Sequence, residues 1–465
     1  MPKDKLKTIY VCNQCGETSP RWMGRCPSCG AWNTMTEDVI AEPAKTGSSK
    51  AAAARVPGQT SLVPQKLKSI STTEEKSRIV TGISELDRVL GGGIVIGSVI
   101  LIGGEPGIGK STILLQLCGE VSRTKSVLYV TGEESARQIK LRAVRLDVPQ
   151  DNISLVAESD VDEICGLIES MKPDLVVIDS IQTMRCTDIS SSSGTVSQVK
   201  ESTARFLTVA KTLEIPTFIV GHVNKDGAIA GPKVMEHIVD TVLYFEGDKT
   251  LPYRVLRAVK NLYGSTNEIG MFDMTGRGLA QIENPSQVML EGRPLGISGT
   301  CVACVMEGTR PVLSEVQALA TKTSFPSPKR TASGFDYNRM FLLLAVLEKR
   351  AGYAFYNQDV YVNIIGGLKL DETACDLPVC LAMASSLLDL PIGEKTLAIG
   401  EVGLGGEVRS VTHLETRLRE AQRVGFDTAI VPKHNLKMID PAQFPGLKLV
   451  GVSYLREAVN AIKLK

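Results

Sequence analysis

From about Arg78 onward, short runs of consecutive apolar residues alternate with longer stretches in which apolar and polar positions mix. The runs fall at Val99–Ile102, Val127–Val130, Leu175–Ile178 and Thr217–Val220. Uninterrupted apolar runs of this length suit strands buried on both faces. Their alternation with helical stretches predicts a parallel sheet covered by helices on both sides. A second α/β stretch runs from Val288 to Lys465, with helices expected near Asn338–Arg350, Asp376–Leu388 and Leu414–Val424. Residues 38–70 mix Ala, Ser, Pro and Lys without periodicity, a composition that buries too little apolar surface to offset ordering entropy, so they read as a flexible linker. No solenoid-type repeat is visible.

Length and charge narrow the picture. With 465 residues and a usual size of roughly 150 residues per domain, about three domains are expected. The expected division is a four-cysteine module at 8–35, a linker at 36–70, a first α/β domain at 71–285 and a further α/β domain at 286–465. There are 52 basic and 51 acidic residues, a net charge of +1. That balance excludes a chain basic throughout, so any nucleic-acid binding must come from local patches. The N-terminus, MPKDKLKTIY, has no apolar signal-peptide core. The longest strongly apolar run, Met340–Leu347, is far short of the roughly 18–20 residues needed to span a bilayer. A cytoplasmic protein without membrane partners is expected. Eleven cysteines, four of them clustered, favour metal ligation and buried thiols over a disulfide framework.

The cluster is Cys12-x2-Cys15 and, ten residues further on, Cys26-x2-Cys29, each pair followed by Gly. Two such knuckles supply the four thiolates that tetrahedral zinc prefers, and four ligands leave no open position, so the expected Zn2+ is structural. So small a segment has little core, and metal binding would supply most of its folding free energy. Cys301-x2-Cys304, on an apolar run, is expected to be buried rather than metal-bound.

Gly104-Glu105-Pro106-Gly107-Ile108-Gly109-Lys110-Ser111 matches G-x4-G-K-[ST], follows an apolar strand and enters a helical run beginning at Thr112. The glycines let backbone N–H groups curl around the phosphates of ATP at the positive end of a helix. Lys110 reaches the β- and γ-phosphates and Ser111 ligates Mg2+. The strand Leu175–Ile178 runs into Asp179, a second candidate Mg2+ residue. The strand Leu128–Thr131 leads to Glu133 and Glu134. Glu133 is the expected base for the attacking water, and the competing reading is an acidic helix start.

These residues carry a resemblance. Thr81–Gly93 (TGISELDRVLGGG), then GEPGIGKST, TGEES and VVIDS are similar to the RecA/KaiC branch of P-loop ATPases. With the four-cysteine module in front and Lys260-Asn-Leu-Tyr-Gly264 behind, the order resembles the bacterial RadA (Sms) DNA-repair family over essentially the whole chain. The resemblance implies a RecA-type core, a homo-hexamer, and a motor for branch migration on single-stranded and branched DNA with the RecA recombinase as partner. It implies ATPase roles for Lys110, Ser111, Asp179 and Glu133, and a γ-phosphate sensor at His222. The family motif usually reads Lys-Asn-Arg-Phe-Gly. Lys260 is kept, as a cation reaching the neighbouring subunit's nucleotide, but Leu262 stands at the Arg position. Two Ser/Gly-rich or Lys-bearing stretches, Thr183–Ser197 and Asn224–Glu236, look like mobile DNA loops, with Arg185, Lys225 and Lys233 as phosphate contacts.

The stretch from about Pro285 resembles the proteolytic domain of Lon, most clearly at Gly406–Ala421. Lon-type proteolysis needs a Ser nucleophile and a Lys base. Alignment puts Ala374, or at a slip of one Cys375, at the nucleophile and Glu415 at the lysine, so a non-proteolytic domain is expected. Three function classes remain in play: a DNA motor, a KaiC-like regulatory ATPase acting on proteins, and, disfavoured, an ATP-dependent protease.

Overall fold

The computed structural model describes residues 6–12, 18–27, 30–41, 78–222, 232–247 and 253–463. The chain divides into two compact units. One comprises Met1–Gly247, Pro252–Thr266 and Phe272–Gln281; the other comprises Asp248–Leu251, Asn267–Met271 and Ile282–Lys465.

The first unit opens with a small antiparallel sheet. β1 (Leu6–Cys12) lies between β2 (Thr18–Ser19) and β3 (Met35–Ala41), and β3 pairs with β1 along its whole length. The cysteine module therefore extends beyond the 8–35 expected from cysteine spacing, because residues 36–41 are strand rather than linker. Its core gathers Cys12, Cys26 and Met35, with Tyr10 against them. Val11 packs with Val196 and Val234. The rest of the expected linker, 42–70, lies outside the described residues.

Two short strands, β4 (Arg78–Ile79) and β5 (Ile94–Val95), pair around α1 (Ser84–Leu90). The main sheet then forms from β6 (Val99–Gly104), β7 (Val127–Thr131), β8 (Ile153–Ala157), β9 (Leu175–Asp179), β10 (Thr217–Val220), β11 (Thr241–Glu246), β12 (Tyr253–Asn261), β13 (Ile269–Thr275) and β14 (Gly278–Gln281). Its order is β14-β13-β12-β11-β6-β10-β9-β7-β8. The stretch from β11 to β8 is parallel, as the apolar runs predict. β11–β12 and β13–β14 are antiparallel, an extension the sequence reading did not anticipate. The burial of β12 alternates residue by residue, the pattern of a strand with one face toward solvent. Helices α2 (Lys110–Ser122), α3 (Ala136–Arg145), α4 (Val161–Met171), α5 (Val196–Leu213) and α6 (Pro232–Glu236) connect the strands. Two apolar clusters follow, one joining β6, β7 and β9 to α1 and α2, the other joining the same strands to α4 and α5. They are the two covered faces of a doubly wound sheet.

The second unit holds α7 (Pro285–Met289), β15 (Thr300–Glu307), β16 (Arg310–Lys322), β17 (Arg330–Ser333), α8 (Tyr337–Val346), β18 (Gln358–Ile364) and α9 (Asp376–Leu388). After α9 come β19 (Thr396–Ala398), β20 (Glu401–Val402), β21 (Val408–Arg409), α10 (Leu414–Val424), β22 (Thr428–Pro432), β23 (Lys448–Val452) and α11 (Leu455–Lys463). A mixed sheet of order β17-β18-β16-β15-β19-β22-β23 carries α9, which is buried along most of its length. The helices expected at Asp376–Leu388 and Leu414–Val424 form with those bounds; the one expected at Asn338–Arg350 changes to a π-turn after Val346. Cys301 and Cys304 are buried on β15, and burial pushes both thiols up to about 12. Among the described residues no helix is long and apolar enough to cross a membrane.

Candidate nucleotide site

The phosphate loop lies between β6 and α2. Gly104, Gly107 and Gly109 have φ of 150°, 79° and 120°, a region L side chains avoid, so glycine is required for the loop to curl. Ile108 tucks into the core while Pro106 and Gly107 face solvent. Lys110, nearly fully buried, donates from Nζ to the carbonyls of Gly104 (2.8 Å) and Glu105 (3.0 Å). Burial lowers its ammonium to about 8, against the pull of Asp179 and Glu133 toward the charged form. Ser111 and Thr112 follow, half-buried, on the first turn of α2.

Asp179 ends β9 beside β6's neighbour β10, and its peptide to Ser180 is cis. The Tyr129 hydroxyl, buried on β7, donates to Asp179 Oδ2 at 2.5 Å, and Ser111 also hydrogen-bonds this carboxylate. Burial nevertheless raises Asp179 above its ordinary value. Tyr129 and Ser111 thus both bond the Asp179 carboxylate, which ties the end of β9 to β7 and to the first turn of α2. A hydroxyl and a carboxylate meeting above the loop form a hard-oxygen donor set suited to Mg2+.

Glu133 and Glu134 leave β7 together, and their partners separate them. Glu134 is in an ion pair with Arg142 of α3 at 2.5 Å, and its backbone N–H is bonded to Thr131 Oγ1 at 3.1 Å. Glu133 accepts from the Ser180 hydroxyl and lies 3.1 Å from His222 Nε2. The His222 bond holds the Glu133 carboxyl down at about 2; partial burial opposes it, and Ser180 and Lys110 assist. The competing reading, an acidic helix start, is not what forms: α3 begins after both glutamates, at a capping box of Ser135 and Gln138, with no acidic residue in its first turn. Gly132 makes the convergence possible. A Cβ there would meet Thr183 Oγ1 at 2.1 Å, so only glycine lets β7 pass the turn that follows Asp179.

His222 directly follows β10 and Gly221. Its Nδ1 is buried with no hydrogen-bond partner among the described residues. Lys260, at the end of β12, donates to the carbonyls of Glu236 and Val239, both at 2.7 Å, so its ammonium closes the end of α6 in its own chain. Leu262 beside it is exposed, and Tyr263 is held by Lys211 through its hydroxyl (3.1 Å) and by Arg78 through its carbonyl (2.7 Å).

The first expected DNA loop is not built as a mobile segment. Gln198, fully buried on α5, accepts from Cys186 N–H and donates to the carbonyls of Cys186, Ile189 and Ser191, all between 2.8 and 3.2 Å. Arg185 is exposed, with its backbone bonded to Ser159 and Val161. Lys225 lies outside the described residues; Lys233 falls on α6, within the helix. Of the cysteine ligands, Cys12 and Cys26 come from the two separate knuckles and are buried in one cluster, which fits a shared metal; Cys15 and Cys29 lie outside the described residues. Sequence reading missed Tyr129 and Ser180, whose partners lie 50 and 47 residues away, and Arg142, whose partner Glu134 lies 8 residues away on the far side of the turn into α3.

The fold and these side chains define a P-loop ATPase of the RecA type. Family models match residues 10–37 (rubredoxin metal binding domain), 64–228 (AAA domain) and 340–435 (subunit ChlI of Mg-chelatase). The DNA repair protein RadA of Bacillus subtilis is 49% identical over 98% of both chains, and that of Listeria monocytogenes 49% identical over 97% of this chain and 98% of its own. Its counterpart from Streptococcus pyogenes serotype M1 is 48% identical over 98% and 99%. The chain belongs to the RadA family of DNA repair proteins. A KaiC-like protein from Pyrococcus horikoshii also aligns, at 19% identity and a TM-score of 0.37, over 44% of this chain and 98% of that one.

In the Lon-like unit, Ala374 is buried and Cys375 is fully buried, with burial raising its thiol far above the ordinary range. Glu372 is locked to the buried Arg417 by two contacts of 2.6 Å, and Glu415 pairs at the surface with Arg419 at 2.5 Å.

Proposed function

We propose that this chain hydrolyses ATP to drive single-stranded and branched DNA through recombination intermediates, that is, as a branch-migration motor. Lys110 binds the β- and γ-phosphates, and the N–H groups of the loop from Gly104 to Thr112 cradle them. Ser111 and Asp179 would hold Mg2+, which supplies charge neutralisation on the phosphates. Tyr129 fixes the orientation of Asp179. Glu133 orients the attacking water and accepts its proton.

The observation that carries this reading is the assignment of partners between the two glutamates. Arg142 takes Glu134, and Ser180 and His222 aim Glu133 into the site. A carboxylate at about 2 is a weak base at neutral pH. We read the His222 contact as a resting arrangement. A γ-phosphate competing for His222 would free Glu133 and make it more basic, so catalysis is armed by the nucleotide itself. Ser180 and His222 lie just before Thr183–Ser197 and Asn224–Glu236, the two stretches we assign to DNA through Arg185, Lys225 and Lys233. We further propose a homo-hexamer that works with the RecA recombinase. In it Lys260, two of whose three N–H groups are engaged within the chain, offers the third to the neighbouring nucleotide. A buried alanine, a buried high-pKa thiol and a surface Glu–Arg pair in place of a Ser–Lys dyad argue against proteolysis.

The test is ATP turnover with and without single-stranded DNA, with mass measured in nucleotide. Stimulation by DNA and a hexameric mass are expected; turnover indifferent to DNA would replace this reading with a KaiC-like regulatory ATPase.

A further inference from the structure

The chain has two tryptophans, Trp22 and Trp32, both in the cysteine module, and they are 55% and 70% exposed. Tryptophan is normally well buried, and an exposed pair marks a contact surface. The module does not use the rings for its own core, which is made by Cys12, Cys26, Met35 and Tyr10. Yet both rings are held in place. Trp22 Nε1 donates to the Met35 carbonyl at 3.2 Å. Trp32 bridges to Arg25, whose guanidinium lies 5.8 Å from the ring centre and whose Nε donates to the Gly30 carbonyl at 2.9 Å. Gly24 lies between them: a Cβ there would meet the Trp22 ring at 3.7 Å and the Trp32 ring at 4.0 Å. The two rings thus converge on one point of the surface.

Local charge indicates what lands there. The module also carries Glu17, Glu37 and Asp38, but between Thr18 and Thr36, around the two rings, the charged residues are Arg21 and Arg25, both exposed. Fixed aromatic faces flanked by cations suit a flexible polyanion with flat apolar units, since every base has a stacking face. Position agrees. Val11, adjoining Cys12, packs on Val196 and Val234, which belong to the two stretches assigned above to DNA.

We propose that Trp22 and Trp32 form a base-stacking platform for single-stranded nucleic acid, with Arg21 and Arg25 meeting the flanking phosphates. This rests on the DNA-motor reading. It adds a site that the nucleotide core lacks, since neither assigned loop contains an aromatic residue.

Because these are the chain's tryptophans, intrinsic emission of the full-length zinc-loaded protein reports on this surface. Titration with oligo-thymidylate should quench it to saturation. Trp22→Ala and Trp32→Ala should each weaken binding by about tenfold, the size of one lost stack, while Trp22→Phe restores most of the affinity at unchanged zinc content. Emission that stays constant while labelled oligo-thymidylate binds and stimulates ATP turnover would overturn the platform and leave the motor intact. Wild-type affinity in the alanine variants would do the same and point to a protein ligand. Absence of any DNA binding would remove both readings.

Discussion

Glu133 and Glu134 show how little separates the side chain we propose for catalysis from a structural one. They are chemically identical neighbours, and a single arginine one helix away takes one of them out of the site. The remaining carboxylate is tuned chiefly by His222. His222→Ala should therefore let the Glu133 carboxyl rise from about 2 toward its ordinary 4.5. The sign follows from linkage: a carboxylate loses its charge only below its pKa, so raising the pKa brings that loss to higher pH. At ATP far below saturation, where the rate reports the free enzyme, the variant's turnover should begin to fall below about pH 5.5, one unit above that ordinary value, where the parent's is still flat. Superimposable acid limbs would mean that His222 does not control the base. Single residues of this kind were partly legible in sequence. Lys110, Ser111 and Asp179 announce themselves by spacing because the phosphate geometry fixes them. Tyr129 and Ser180 do not, because a hydrogen bond between segments brought together by the sheet leaves no spacing to read, and Arg142 does not, because a pair eight residues apart across the junction of β7 and α3 matches no helical spacing.

Elements were read with similar unevenness. Four parallel strands, β6, β7, β9 and β10, appear as solid apolar runs because helices cover them on both faces, and their positions came out within one or two residues; β8 and β11, parallel as well, went unread. The antiparallel strands beyond β11 went unread because one-sided burial mixes polar residues into them. The loop after Asp179 was taken for a mobile segment on its Ser and Gly content. Composition cannot show that Gln198, a turn into the following helix, supplies one acceptor and three donated bonds to it. Leaving such buried backbone groups unmatched costs roughly 1–3 kcal/mol apiece. Gln198→Ala should accordingly speed amide hydrogen exchange across residues 184–195, with exchange in β6 and β9 little altered. Unchanged protection of the loop would show that the amide is not its clamp.

For the whole molecule, near-neutrality decides how DNA affinity should respond to salt. A net charge of +1 provides no general attraction, so binding must depend on a few placed cations and their displaced counterions. On single strands each phosphate contact contributes about 0.7 to the slope of log affinity against log salt. Arg185→Ala should reduce that slope by ~0.7, and a slope that does not change would remove Arg185 from the interface. The Lon-like unit belongs to this scale too. Its resemblance was legible in a helix-bearing stretch near Gly406, whereas the Glu372–Arg417 lock was not, because the two residues, although each lies in a stretch the resemblance covers, meet only through a contact 45 residues apart in sequence.

The packing around Ala374 and Glu415 also bears on how a Ser–Lys pair could be introduced. A serine placed at 374 would set its hydroxyl in a packed apolar interior, and a lysine at 415 would arrive on a solvent-facing helix turn beside Arg419. One or two replacements would therefore leave nucleophile and base in opposite surroundings, one dry and one wet.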